Sequence, residues 1–130
     1  MNYPVLILKK NDSNIYALNK MFGIVSVGGE SFYKNVTVID SNGSMLEVEK
    51  VEIEKRASLK YCLMYFQKML KLKITFSSNK KSLELDELKK ILIDKITKNP
   101  KKWLSMGSVE EITKHINNTN NFSELILMFR

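Results

Sequence analysis

Side chains that commonly carry acid–base or nucleophilic chemistry are scarce in this chain. It has one histidine, His115, and one cysteine, Cys62. Catalysis near neutral pH usually needs such a group beside a positioned partner, and a zinc site needs about four nitrogen or sulfur ligands. Cys62 falls on the apolar side of a helical pattern and His115 lies off its helix's apolar stripe. We therefore interpret Cys62 as a buried thiol and His115 as a surface or boundary residue, and we expect no metal site.

Carboxylates are more numerous, but their positions indicate structural roles. Four of them alternate along one strand-like segment, where they would face solvent: Glu47, Glu49, Glu52 and Glu54. Asp40 directly precedes a turn sequence and is expected to bond the loop backbone. The Gly28-Gly29 pair has neither the spacing nor the following lysine of a phosphate-binding loop. We expect no enzymatic activity and no cofactor.

The charge of the chain is unevenly distributed. Its formal net charge is +7, yet residues 1–54 hold 5 lysines against 7 acids, whereas residues 55–130 hold 16 basic residues against 7 acids. The stretch from Lys55 to Lys81 has eight basic residues and no acid. Such asymmetry predicts a negatively charged partner or surface.

Two groups of residues are candidates for partner binding. On a helical wheel over Arg56 to Met69, cations and large side chains share the side opposite the apolar face: Lys60, Tyr61, Met64, Tyr65, Lys68 and Lys71. The second group is Lys101, Lys102 and Trp103, because tryptophan is common at interface hot spots. The alternatives are a solvated face for the first group and a core-plugging role for Trp103.

Hydrophobic spacing indicates the elements that would position these residues. Tyr3 to Lys9 and Ile15 to Leu18 read as strands joined by a turn. Val36 and Val38 alternate with polar residues, an Asn-Gly turn follows, and alternation resumes over residues 45–54. The parity of that alternation changes near Lys50, which predicts a bulge or a change of buried face. A further strand is expected from about residue 72.

Helical patterns follow mainly in the second half. An amphipathic helix is predicted over 56–69, and a second from about Leu83 to Lys98, before Pro100. Ser108 begins a capping box for a third helix, and Asn121 begins a short fourth one. We predict an α+β fold: an antiparallel β-sheet covered by about four α-helices in a single domain, 1–130, strand-rich over 1–54 and helix-rich over 55–130.

No segment has the features of a signal peptide or a membrane span. The N-terminal apolar run, Pro4 to Leu8, is five residues long, whereas a spanning helix needs about 18 or more apolar residues. We expect a cytoplasmic protein that does not bind membranes.

The order of these parts resembles a family of bacterial proteins. The segments "YPVLILKKNDSNIYALN", "VTVIDSNGSMLEVEKVEIE", "KLKITF", "LDELKKILIDKI" and "SVEEITKHI" are similar, in order and spacing, to the small immunity proteins encoded beside bacterial polymorphic toxins. These include the immunity proteins of contact-dependent growth inhibition systems. The resemblance implies a cytoplasmic, non-enzymatic protein that neutralises one cognate toxin by tight binding.

The expected function is therefore a toxin inhibitor acting by protein–protein interaction, which occludes the active site or substrate entrance of a toxin domain. Nuclease inhibitors of this kind are often acidic, so the basic charge of this chain favours a partner with an acidic surface. The alternative is a nucleic-acid-binding module that uses the basic segment 55–81. It would bind DNA or RNA with an affinity that falls steeply with salt.

Overall fold

The computed structural model describes residues 1–56 and 69–130, which contain seven strands, three α-helices and two 3₁₀ helices. The strands are β1 (Val5–Lys9), β2 (Ile15–Leu18), β3 (Ile24–Ser26), β4 (Val36–Ile39), β5 (Ser44–Arg56), β6 (Met69–Phe76) and β7 (Lys81–Ser82). The α-helices are α1 (Leu85–Lys98), α2 (Val109–Asn117) and α3 (Phe122–Leu127). The 3₁₀ helices are η1 (Glu30–Tyr33) and η2 (Pro100–Met106).

All strand pairs in the described residues are antiparallel. The strand order is β2-β1-β4-β5-β6-β3, and β7 pairs with the start of β5. The sheet curls into a half-barrel, and β2 and β3 lie at the two ends of its strand order. The predicted antiparallel sheet with helices is confirmed.

The β4–β5 hairpin follows from the chemistry of its turn. The Asp40 carboxylate accepts hydrogen bonds from the backbone N–H groups of Asn42 and Ser44, each at 3.0 Å. Gly43 adopts a φ of +81°, which favours glycine. The sequence predictions of a hairpin here and of a backbone-bonding Asp40 are both confirmed.

The long strand β5 belongs to two parts of the sheet. Its first residues pair with β4, and the stretch from Val48 to Arg56 pairs with β6. The pairing register shifts between Val48 and Lys50, and again between Ile53 and Lys55. Such irregularities bend a strand and increase its twist, so β5 carries the curl of the sheet. The register shift between Val48 and Lys50 confirms the irregularity expected near Lys50, which the sequence predicts as a bulge or a change of buried face.

Two hydrophobic clusters lie on opposite faces of β1 and β4. Leu6, Leu8 and Ile39 pack against the three α-helices. The alternate residues of the same strands pack in the half-barrel against η1, β3 and β6, in a cluster that includes Val5, Ile7, Val36, Val38, Tyr33 and Leu72. Because both faces of β1 are covered, its side chains form a continuous apolar run rather than an alternating one.

The expected cover of about four helices needs correction. The described α-helices pack on one face of β1 and β4, and strands with a 3₁₀ helix enclose the other face. The helix predicted over 56–69 falls mostly outside the described residues. Its two ends, Arg56 and Met69, lie in strands β5 and β6. Strands β6 and β7 also lie in the half of the chain that we expected to be helix-rich.

Within residues 1–56 and 69–130, no helix has both the length and the apolar character needed to cross a membrane.

Candidate functional site

The first predicted group of binding residues is described only at its end. Lys60, Tyr61, Met64, Tyr65 and Lys68 lie outside the described residues. Lys71 was expected on the same helical stripe, but it lies in strand β6. Its side chain is exposed, and it alternates with the inward-facing Leu72. Lys71 is therefore on the outer face of the curled sheet, next to Ile24 of β3.

The second predicted group divides between surface and core. Lys101 and Lys102 are exposed on η2. Trp103 is only 8% exposed and packs edge-to-face on Phe129, with ring centroids 5.8 Å apart. Its indole Nε1–H is buried and has no hydrogen-bond partner among the described residues. The indole thus fills the end of the helix-side cluster, while the two lysines remain available to a partner.

A concave basic site lies where the β1–β2 turn meets the C-terminal end of α1. The cavity measures about 400 Å³ and is lined by Lys10, Asn11, Asp12, Ser13, Lys95, Lys98 and Asn99. Lys102 is close enough for its charge to lower the pKa of Asp12. We call Lys10, Lys95, Lys98 and Lys102 the lysine cluster. Among the described residues, Asp12 is the one acid that lines this cavity.

Local structure brings the two sides of this cavity together. The Asp12 carboxylate accepts a hydrogen bond of 2.7 Å from the backbone N–H of Asn14 and so holds the turn. Lys95 and Lys98 lie in the last turn of α1, where exposed carbonyls favour cations. The Lys95 ammonium donates to the backbone carbonyls of Lys9 at 2.9 Å and Asp12 at 3.0 Å. Lys95 therefore fastens the helix end to the turn.

The pKa shifts agree with a positively charged, partly desolvated site. Burial lowers the pKa of Lys95, the Asp12 charge opposes this effect, and the Lys98 charge adds to it. The pKa of Asp12 is lowered, mainly by the hydrogen bond from the Asn14 N–H and further by Lys102. Lys10 forms a partly exposed ion pair with Glu47 at 3.4 Å. Exposed pairs of this kind contribute little energy, so Lys10 can exchange this partner for another carboxylate.

A second cavity, which we call the edge cleft, lies between the two edges of the sheet. It measures about 490 Å³ and is lined mainly by apolar side chains of β2, β3 and η1. Phe32 and Tyr33 belong to this lining, and Lys20 and Arg130 supply cations. No aspartate or glutamate is among the lining residues that the structure describes. Apolar clefts with a few polar groups are the usual form of binding sites.

The described residues contain no metal-binding cluster. Within residues 1–56 and 69–130, no three His, Cys, Asp or Glu side chains are placed to share a metal ion. His115 is exposed on α2, as the sequence predicts. Cys62 lies outside the described residues.

Sequence reasoning missed both cavities. The sequence of α1 places Asp86 four residues before Lys90 and Asp94 four residues before Lys98, a spacing that predicts ion pairs within the helix. In the part of the chain that the structure describes, the ion pairs are instead Lys10–Glu47 and Lys50–Glu52. The basic residues at 95 and 98 were a usable signal, but their position beside the β1–β2 turn depends on contacts across more than 80 residues.

The edge cleft depends on β3 and η1, whose sequence has no clear strand or helix pattern. Comparison with known proteins adds no relative: no protein-family model, no curated protein and no solved structure matches this chain.

Proposed function

We propose that this chain is an immunity protein that binds the acidic surface of a cognate toxin domain and blocks its active site or substrate entrance. The observation that supports this most is the lysine cluster: Lys10, Lys95 and Lys98 line a concave site and Lys102 lies near it, while Asp12, the one acid among the described lining residues, is already bonded to its own turn. Such a site attracts carboxylates and speeds encounter with a negatively charged protein.

The surface beside the lysine cluster adds the apolar contacts that a stable interface needs. On η2, next to Lys101 and Lys102, Leu104 is 68% exposed and Met106 is 37% exposed. A standard interface buries about 800 Å² on each partner and combines apolar anchors with a polar rim. Cations and exposed apolar side chains on neighbouring turns of one segment fit that composition.

The nucleic-acid alternative receives less support from these residues. Binding of single strands commonly relies on aromatic side chains on which bases stack. Trp103, the aromatic residue adjacent to the lysine cluster, is buried against Phe129. In the part of the chain that the structure describes, no aromatic side chain lines the cavity of the lysine cluster, a composition better suited to carboxylates of a protein surface.

The first experiment identifies the partner. Tagged protein is captured from its native cells with nuclease treatment and a salt wash, and the bound material is identified. We expect one stoichiometric protein that is toxic when expressed alone and tolerated when expressed with this chain. Recovery of nucleic acid only, lost on nuclease treatment, would support the alternative and contradict the proposal.

The second experiment tests the lysine cluster with that partner. Lys98→Glu together with Lys102→Glu should slow association at least tenfold at low salt and flatten its dependence on ionic strength. The matched control is Lys81→Glu with Lys114→Glu, which changes the net charge equally at exposed positions on β7 and α2. Equal effects of both pairs would show that net charge, rather than the lysine cluster, sets the rate.

A further inference from the structure

Strand β2 lies at the edge of the sheet, and no group in residues 1–56 and 69–130 bonds to its outward-pointing backbone groups. The Lys9 N–H donates to the Asn14 carbonyl at 3.3 Å. In an antiparallel ladder, hydrogen-bonded and non-hydrogen-bonded pairs alternate. With the observed register, Tyr16 and Leu18 therefore bond to β1, whereas the N–H and C=O of Ile15 and Ala17 point away from the sheet. Among the described residues, no group bonds to the outward N–H or C=O of Ala17.

The opposite edge of the cleft is closed by its own loops. The Ile24 N–H donates to the Met21 carbonyl at 3.2 Å, and the Ser26 carbonyl accepts from the Gly29 N–H at 2.9 Å. These groups of β3 point away from β6, because the Gly23 carbonyl bonds to the Leu72 N–H. Short, looped edges resist pairing with another chain. Among the described residues that border the edge cleft, β2 therefore offers unpaired backbone groups for strand addition, whereas the outward groups of β3 are paired by its own loops.

The surroundings of β2 specify the chemistry of an added segment. Ala17 and Leu18 line the edge cleft, which offers an apolar pocket over Phe32 and Tyr33. Lys20 and Arg130 line the same cleft, near the C-terminal end of β2. At the other end, the β1–β2 turn lies against Lys95 and Lys98. The four residues of β2 span about 13 Å, so cations flank both ends of a short unpaired edge.

We propose that β2 accepts an extended acidic segment of a protein partner as an additional antiparallel or parallel strand. An apolar side chain of that segment enters the edge cleft, and its carboxylates contact Lys20 and Arg130 at one end and Lys95 and Lys98 at the other. Main-chain hydrogen bonds then supply affinity, and the cleft and the cations supply specificity. The inference rests on the proposed function and names the form in which the toxin domain is recognised.

The test uses an eight-residue peptide that alternates glutamate and valine, with a lysine–valine peptide of equal length as control. Backbone amide signals of the full chain are followed by NMR during titration. We expect saturable shifts at residues 15–18 and in the edge cleft, slower hydrogen exchange of the Ala17 amide, and binding of the lysine peptide at least tenfold weaker.

Ala17→Pro separates strand addition from simple surface contact. Proline removes the outward N–H of Ala17 and leaves the β1–β2 hydrogen bonds in place, as proline does on edge strands. It should weaken binding of the glutamate peptide at least tenfold, whereas Ala17→Ser, which keeps the N–H, should leave that binding unchanged. If Ala17→Pro fails to fold, Lys20→Glu with Arg130→Glu replaces it and should have the same effect, against Lys81→Glu with Lys114→Glu as control.

Several results would overturn the proposal. The proposal fails if the glutamate peptide does not bind at millimolar concentration, or if its NMR shifts appear only on other surfaces. It also fails if both peptides bind equally, or if Ala17→Pro binds the glutamate peptide as tightly as the wild type does. Self-association that protects the same amide would assign the edge to a second copy of the chain instead. A toxic partner that binds the wild type and Ala17→Pro equally would overturn strand addition alone and leave the proposed function standing.

Discussion

At the scale of single residues, Trp103 shows how a side chain that looks suited to a surface can serve the core. It follows two lysines and lies outside any periodic stripe, which is also how an interface anchor would look. In the fold, η2 turns its two lysines to solvent and its indole onto Phe129. The contact with a residue 26 positions later decides between the two roles.

The buried indole N–H makes a testable difference between two replacements of Trp103. A buried donor without a partner costs about 1–3 kcal/mol, and none of the described residues accepts from this one. Trp103→Phe removes the donor and keeps the ring contact, so it should cost less than about 1.5 kcal/mol. Trp103→Ala leaves a cavity and should cost about 3–5 kcal/mol. Urea unfolding followed by circular dichroism measures both, and equal losses would contradict the interpretation.

Asp12 predicts a pH dependence of stability. Its pKa is lowered below the ordinary value of 3.8, first by the Asn14 N–H and also by Lys102 and Lys9. A lowered pKa in the folded state means that the carboxylate stabilises the fold above pH 3.8. That contribution is lost as the pH falls through the folded-state value.

The measurement is the melting temperature of wild type and Asp12→Asn between pH 2 and pH 6. The wild type should melt higher at pH 6, and the difference should vanish near pH 2. Asp94→Asn, a change at an exposed aspartate on α1, is the control for loss of one negative charge. A difference that stays constant across this range would show that the Asp12 charge does not stabilise the turn.

At the scale of elements, the β4–β5 turn joins local backbone geometry to long-range packing. Gly43 has a φ of +81°, and an added Cβ would lie 2.6 Å from Cζ of Phe122 and 2.8 Å from the Leu83 carbonyl oxygen. Leu83 is also bonded to the turn, because its backbone N–H donates to the Gly43 carbonyl at 2.8 Å. The turn therefore packs directly against the start of α3 and the end of β7.

Two glycine replacements separate backbone strain from crowding. Gly28 has a φ of +92°, but an added Cβ would meet nothing within 4 Å. Gly28→Ala should therefore lower the free energy of unfolding only by the cost of a left-handed backbone, about 1–2 kcal/mol. Gly43→Ala should lower it by at least about 1 kcal/mol more, because overpacking adds to strain. Chemical denaturation of both variants gives this comparison, and equal losses would argue against the close contact with Phe122.

At the scale of the whole molecule, two hydrophobic clusters share one sheet. Alternate side chains of β1 and β4 pack in the two clusters. Loss of either cluster would therefore expose one face of strands that also support the other cluster. Domains of this size usually unfold in a single cooperative transition. The sole tryptophan lies in the helix-side cluster, whereas the far-ultraviolet signal reports on all elements.

We expect Leu92→Ala, on the helix side, and Ile7→Ala, in the half-barrel, each to cost about 2–5 kcal/mol. Both should shift the tryptophan fluorescence and circular dichroism transitions together. Leu127→Ala, at a side chain that is 41% exposed, should cost far less and serves as control. Separate transitions for the two signals in Ile7→Ala would show that the clusters unfold independently.

Sequence alone determined the features that depend on neighbours a few positions apart. The turn chemistry of Asp40 and Gly43, the apolar stripe of α1 and the capping residues Ser108 and Asn121 all act within about four residues. The two caps accept hydrogen bonds from Glu111 N–H at 3.2 Å and Glu124 N–H at 2.9 Å. These are the elements whose sequence predictions the structure confirms.

Tertiary structure alone decided how the elements enclose their two clusters and where charge converges. The pairing of β3 with β6 joins residues more than 40 positions apart, and the lysine cluster requires α1 to end against the β1–β2 turn. Hydrophobic spacing shows that a strand has a buried face, but it does not specify which distant element covers that face. Both candidate binding surfaces arise from such contacts, so the fold had to be known before either could be found.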